Sequence, residues 1–149
     1  MKPLDAFAER LGALINNLEP PAQKEMARTI AKRLRTSQQQ NIRRQQAPDG
    51  TPFKPRRAEP VRKKKGRVKR EMFTKLRTAK YMKAKATNSE ATVEFVGKVQ
   101  RMARVHHYGL RDRPARDAKE VPYDERPLLG LNDEDLQMIE KEIINNLNK

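Results

Sequence analysis

The residues whose chemistry could define a function fall into two groups, a histidine pair and a long basic run. His106 and His107 are the only histidines of the chain, and adjacent residues on a helix point about 100° apart. They therefore cannot face one metal ion as the histidines of HExxH do, four residues apart. The chain has no cysteine and no GxSxG, Walker A or GxGxxG sequence. We predict a protein that is not an enzyme, with no catalytic residue, metal ligand or cofactor.

The basic run lies between Lys54 and Arg70 and carries ten Lys or Arg residues against one acid, Glu59. Such a run can contact phosphate groups, dock on an acidic protein face, or stay disordered until a partner orders it. No aromatic residue interleaves with the charges, so base stacking on single strands is not expected and any nucleic-acid contact should be non-specific. The candidate contact residues of this arm are Arg62, Lys63, Lys64, Lys65, Arg67, Lys69 and Arg70.

Composition predicts a modest core. Of 149 residues, 36% are apolar and 36% are charged, no Trp is present, and the formal net charge is +15. We expect one domain over residues 1–149 with a basic extended arm at about 54–70, whose fold neighbouring subunits complete. No stretch approaches the roughly 20 apolar residues that cross a bilayer, and no signal-like segment opens the chain. We therefore expect no membrane contact and no secretion by the general pathway.

Apolar residues at three- and four-residue spacing predict a helix over residues 3–18 and a second one from Pro21 to about Gln45. The apolar stripe of the second helix fades after Leu34. Because its own core offers this polar, basic end little, we predict that it forms a subunit interface. The candidate interface residues are Arg35, Gln39 and Arg43.

Beyond these helices the pattern alternates between turns and short elements. It predicts a turn at Pro48-Asp49-Gly50, a short helix over 71–80, a β-hairpin over 81–96 and a helix over 98–108 that Gly109 ends. Around Pro122 we expect an edge or irregular extension. Asn132 is the predicted N-cap of a final helix. The fold class is α+β: N-terminal helices, a small antiparallel sheet with a hairpin, a C-terminal helix and a long basic loop.

Three stretches together resemble one family. They are "QQQNIRRQQAPDGTPFKPRR", then "KLRTAK", and then "ARVHHYGLRDRPAR" followed at a distance by "ERPLLGLNDEDLQMIEKEI". In order and spacing they are similar to the phage virion morphogenesis or tail completion family, over nearly the whole chain. Two sets of residues map onto the motifs of that family. The first is a turn of Pro48, Asp49, Gly50 and Phe53, and the second is a helix end of His106, Tyr108 and Gly109.

The resemblance implies a structural virion protein that completes or terminates the phage tail at its head-proximal end and enables head–tail joining. It implies a homo-oligomer, expected as a hexameric ring, with tail tube, sheath or neck connector proteins as partners. The protein would lie in the tail or neck of the virion, and in the host cytoplasm during assembly. The motif residues would then be architectural, and the resemblance assigns the arm no role.

Two other functions stay open from the residues alone: a head-side neck connector or adaptor, and a non-specific nucleic-acid-binding protein. For the arm, docking on a protein is favoured over contact with DNA in the lumen. A lumen that gripped DNA tightly would slow its ejection. The charge distribution also suits contact between copies, because residues 117–149 carry nine acids against four bases.

Overall fold

The computed structural model describes residues 3–55 and 71–148 of the chain. Within these residues it has helices and two small antiparallel sheets of two strands each, which confirms the α+β class. The elements are α1 Pro3–Ile15, α2 Pro20–Arg43, β1 Met82–Ala86, β2 Ala91–Phe95, a short 3-10 helix Gly97–Val99, α3 Gln100–Tyr108, β3 Arg111–Asp112, β4 Val121–Pro122 and α4 Asp133–Leu147. The arm cations Arg62 to Arg70 lie outside the described residues.

The chain divides into two compact units. The first unit comprises Met1–Ser37, Met82–Glu94 and Leu131–Lys149, and the second unit comprises Gln38–Tyr81 and Phe95–Gly130. In the described part of both units, no helix is long and apolar enough to cross a membrane.

The first unit is built around apolar residues of three helices. Leu11 of α1 and Ile143 of α4 are buried with three residues of α2, which are Met26, Ile30 and Leu34. Partly buried side chains surround this cluster, and β2 contributes Ala91 and Val93 to them. The apolar stripes predicted for the helices are thus the faces that form this core.

The start of α4 is fixed by a reciprocal cap. The Asn132 side chain accepts a hydrogen bond from the Asp135 amide at 2.8 Å, and the Asp135 carboxylate accepts from the Asn132 amide at 3.1 Å. Asp135 is buried and also accepts a hydrogen bond from the hydroxyl of Ser37. This capping box satisfies amide groups that have no partner within a helix, so the N-cap prediction is confirmed.

The predicted helix over residues 71–80 is wrong, because this segment forms consecutive turns. The amides of Leu76, Thr78 and Tyr81 each donate to the carbonyl three residues earlier. Phe73 has a φ of 65°, a left-handed conformation that an α-helix cannot contain. The Met72 carbonyl, which a helix would bond to Leu76, instead accepts from the Gln45 side chain at 2.8 Å.

The other short elements follow the predictions closely. β1 and β2 form the expected hairpin, and α3 ends at Tyr108 just before Gly109. β3 pairs antiparallel with β4, with Arg111 opposite Pro122 and Asp112 opposite Val121. A two-residue ladder accommodates Pro122 because proline cannot donate to a longer one.

Candidate assembly site

Both predicted family motifs meet in one row of aromatic rings in the second unit. The ring centroids of Phe53 and Phe73 are 5.5 Å apart, those of Phe73 and His106 are 5.0 Å apart, and those of His106 and Tyr123 are 4.8 Å apart. Every contact in the row is edge-on, the arrangement that the quadrupoles of aromatic rings favour. The turn motif and the helix-end motif are therefore joined through Phe73, which belongs to the segment that does not form the predicted helix.

The turn motif is held by its own hydrogen bonds. The Gly50 amide donates to the Ala47 carbonyl at 2.9 Å, and the φ of Gly50 is 92°, where only glycine is unstrained. The Asp49 carboxylate accepts from the Thr51 amide at 2.9 Å, and this bond lowers the pKa of Asp49. The Phe53 amide donates to the Gln45 carbonyl, and its ring is buried. The turn thus delivers Phe53 to the aromatic row.

The helix-end motif depends on a close backbone approach. Gly109 ends α3 with φ 66° and ψ 52°, and its amide donates to the Val105 carbonyl. A Cβ atom built at Gly109 would lie 2.8 Å from the Glu125 amide nitrogen. Tyr108, in contrast, is 62% exposed and takes no place in the aromatic row. The motif therefore combines a required glycine with an exposed tyrosine.

The two histidines have different surroundings. His106 packs within the row, and its carbonyl accepts from the Arg126 amide at 2.8 Å. The Nδ1 atom of His107 accepts from the Leu128 amide at 3.0 Å. Among the described residues, no group of three or more His, Asp or Glu side chains is placed to hold a metal ion. Both histidines thus serve as packing and hydrogen-bonding groups in this unit.

His107 should make stability depend on pH. Burial lowers the pKa of His107 below its ordinary 6.5, against a smaller opposing effect of Glu125. The folded chain thus favours neutral His107, so its contribution is complete above pH 6.5 and is lost as the pH falls from there towards the folded pKa. The urea midpoint of the native chain should fall more between pH 7.5 and pH 5 than that of His107→Asn, which can accept the same bond without titrating. Equal falls would contradict this role.

Two glutamines, one in the polar end of α2 and one just after it, each bind both the amide and the carbonyl of one distant residue. The Gln38 side chain donates to the Gly130 carbonyl at 3.0 Å and accepts from the Gly130 amide at 3.1 Å. The Gln45 side chain likewise donates to the Met72 carbonyl and accepts from the Met72 amide, at 2.8 and 2.7 Å. Each amide side chain thus imitates one rung of a β-ladder, holding an irregular segment in place.

The polar end of α2 was expected to find little core of its own, and this expectation is wrong. Gln38, Asn41 and Ile42 are 3%, 4% and 0% exposed, so the polar end of α2 is packed within its own chain. Sequence reasoning missed the role of Gln38 and Gln45. The available signal was the concentration of glutamine, a residue with both donor and acceptor, immediately before the turn motif.

Replacing Gln38 should be costly although it carries no charge. Gln38→Leu keeps the volume but leaves the amide and carbonyl of Gly130 without their partner, so we expect a loss of about 2–3 kcal/mol of unfolding free energy. Gln40→Leu is the matched control, since Gln40 is exposed on the same helix and should change stability by less than about 0.5 kcal/mol. Urea denaturation followed by circular dichroism measures both. Similar values for the two variants would contradict the pairing.

The three predicted interface residues of α2 differ in their burial and in their hydrogen-bond partners. Arg35 is half-buried, and its Nε atom has no hydrogen-bond partner within the described residues. The Gln39 side chain donates to the Arg77 carbonyl at 2.7 Å, and Arg43 is exposed. Their role at a subunit interface stays a prediction, with Gln39 already engaged within the chain.

The Arg126 side chain holds the backbone of Lys54 and Pro55 by two hydrogen bonds. This side chain is 5% exposed, and it donates from Nε to the Lys54 carbonyl at 2.8 Å and from Nη2 to the Pro55 carbonyl at 3.0 Å. A carboxylate oxygen of Asp124 lies 3.8 Å from Nη2. A buried guanidinium satisfied by carbonyls and one carboxylate is expensive to disturb, so Arg126 and Gln45 fix the two backbone positions that flank residues 56–70.

A cavity of about 470 Å³ opens beside the aromatic row. Phe73, His106 and Tyr123 form part of its wall. Met102, 43% exposed, extends the apolar lining towards solvent, and Lys75 adds a positive charge. The size falls in the range that holds a small ligand or one large side chain of a partner.

Comparison of the amino-acid sequence with known proteins identifies a family for this chain. The profile of the phage virion morphogenesis family matches residues 3–148. Tail completion protein S of Escherichia phage P2 is 44% identical over 150 residues, which cover 100% of both chains. No solved structure matches the chain. By the extent of both sequence matches, the chain belongs to the phage virion morphogenesis family.

Proposed function

We propose that this chain is a structural virion protein that completes the phage tail at its head-proximal end and enables the tail to join the filled head. The observation that carries the proposal is the 44% identity to tail completion protein S over the full length of both chains. Identity at this level, without gaps in coverage, supports a shared role in assembly. Within the described residues, the side chains of the motifs make packing and hydrogen-bond contacts inside the chain, as expected for architectural residues.

The proposed working form is a ring of six copies on the tail end. The charge distribution supports contacts between copies, because residues 54–70 carry a net +9 and residues 117–149 a net −5. Arg35, Gln39 and Arg43 are the proposed interface residues of α2. Met102 and Tyr108 of α3 are both exposed, and we propose that each contributes to contacts with a tail tube, sheath or neck protein.

For the basic arm we propose docking on an acidic face of a neighbouring virion protein. The backbone positions on either side of the arm, Pro55 and Met72, are held by hydrogen bonds to Arg126 and Gln45. Replacing Arg62, Lys63, Lys64, Lys65, Arg67, Lys69 and Arg70 with Gln should then reduce head–tail joining without unfolding the chain. DNA binding with a steep salt dependence, lost in the same variant, would favour phosphate contact instead.

Deletion of the gene from the phage tests the proposal. We expect lysates that contain tails and filled heads but few joined particles in the electron microscope, with tails of altered length, and rescue by the gene in trans. Protein recovered on purified tails would support tail completion. Protein recovered on filled heads would identify a head-side connector, and normal virions without the gene would overturn the proposal.

A further inference from the structure

The β1–β2 hairpin of the first unit has two edges that no further strand of the described residues pairs with. Within the described residues, its sheet consists of these two strands alone. The turn is closed by the Thr87 amide, which donates to the Glu90 carbonyl at 2.8 Å. With strands of equal length, this bond sets a register that places Ala84 opposite Val93 and Lys85 opposite Thr92. The amides and carbonyls of Ala84 and Val93 therefore point outward, along the two edges.

The hairpin has one packed face and one charged face. Ala91 and Val93 pack against the core of the first unit, so Thr92 and Glu94 lie on the opposite face. Lys85 is on that outer face too, because its Nζ atom lies 2.6 Å from the Glu94 carboxylate. Alternation adds Lys83 to the β1 side and Glu90 to the β2 side. One edge of the hairpin is thus bordered by lysines and the other by glutamates.

We propose that the hairpin is a subunit seam, in which the β1 edge of one copy pairs with the β2 edge of a second copy of this chain. The inference rests on the proposed ring and adds its interface. Pairing lysine rows with glutamate rows is favourable, whereas β1 against β1 would oppose Lys83 and Lys85 to their own kind. Exposed edges recruit strands unless charge prevents it, and here charge prevents only the like-with-like pairing.

Pairing β1 of one copy with β2 of the next can produce a ring, because of the directions in which the two strands run. In the hairpin, β1 runs antiparallel to β2. A rotation about an axis near the strand direction leaves each strand direction unchanged, so β1 of one copy meets β2 of the next in the same antiparallel sense. Each copy offers one edge and accepts the other, which is the head-to-tail contact that closes rings. A five-residue strand covers only about 17 Å, so we expect the seam to form fully on the tail.

Single-cysteine variants test the seam, because the chain has no cysteine of its own. Lys85→Cys and Thr92→Cys are made in separate chains, since the two positions lie opposite each other in one hairpin and would otherwise join within a copy. Both are supplied together to phage deleted for the gene, and purified tails are treated with a mild oxidant. A disulfide joins only cysteines whose Cα atoms lie within about 7 Å, so it cannot link the same position in neighbouring copies, which lies two strand spacings or roughly 9–10 Å away. We expect covalent dimers from the mixture and none from either variant alone. Lys24→Cys mixed with Lys141→Cys, both exposed, measures random cross-linking.

A charge exchange gives a second readout. Lys83→Glu with Lys85→Glu should weaken assembly on tails about tenfold, through two like-charge oppositions. Adding Glu90→Lys and Glu94→Lys should restore it, since both the internal bridge and the seam then regain opposite charges. Protein present on tails without the mixed cross-link, or with cross-links from one variant alone, would overturn the seam and leave tail completion standing. Absence of the protein from tails would overturn both.

Discussion

Replacing Gly109 with alanine is expected to lower the unfolding free energy by about 2–4 kcal/mol. An alanine in the left-handed region costs about 1–2 kcal/mol, and its Cβ would lie 2.8 Å from the amide nitrogen of Glu125. Since that atom belongs to the backbone, relief requires moving the segment that carries Arg126. Urea denaturation gives the stability, and plaque formation by the complemented deletion phage gives the function.

Gly12→Ala is the control for this prediction. Gly12 lies in α1 with nothing within 4 Å of its added Cβ, and alanine is preferred over glycine in a helix by about 1 kcal/mol. The control should therefore be neutral or stabilising. A Gly109→Ala chain as stable as Gly12→Ala would show that the Glu125 backbone yields easily.

Truncating Ile143 is expected to cost about 2–5 kcal/mol, because it leaves a cavity in the core of the first unit. Ile143 is 1% exposed and belongs to the buried cluster with Leu11 and Leu34. The variant Ile143→Ala should have a markedly lower thermal midpoint and, through its unfolded fraction, fewer assembled tails.

The neighbouring residue supplies the control for this truncation. Ile144 is 42% exposed on the same helix, so Ile144→Ala removes little packing and gains helix propensity. Its stability should stay within about 0.5 kcal/mol of the native chain. Equal losses at 143 and 144 would place the core on a different face of α4.

Local signals explain which elements the sequence predicted well. Asn132 and Asp135 cap α4 from within four residues, and Gly109 ends α3 by its own conformational freedom. These features need no knowledge of distant contacts. The fold class and the family were predictable for the same reason, since both rest on short motifs in a fixed order.

Contacts between distant parts of the chain explain the failures. Met72, Phe73, Leu76 and Ala79 fit a helical spacing, but Gln45 takes the backbone groups of Met72, 27 residues away. The polar end of α2 was predicted to find little core of its own, whereas the partner of Gln38 is Gly130, 92 residues away. A pattern of apolar residues cannot reveal a side chain that completes another segment's hydrogen bonds. For the site, sequence located both motifs but not Phe73, which joins them.

The hydrogen bonds that hold the backbone at Pro55 and Met72 have a consequence for the run of residues between them. Arg126 and Gln45 hold these positions through side chains that lie outside the run between them. The entropy of closing a longer loop grows slowly, by about 0.6 kcal/mol for each doubling of length. We therefore expect changes of length or charge within residues 56–70 to leave the anchoring hydrogen bonds of Arg126 and Gln45 in place, so that contacts with virion neighbours can change there without altering the two motifs.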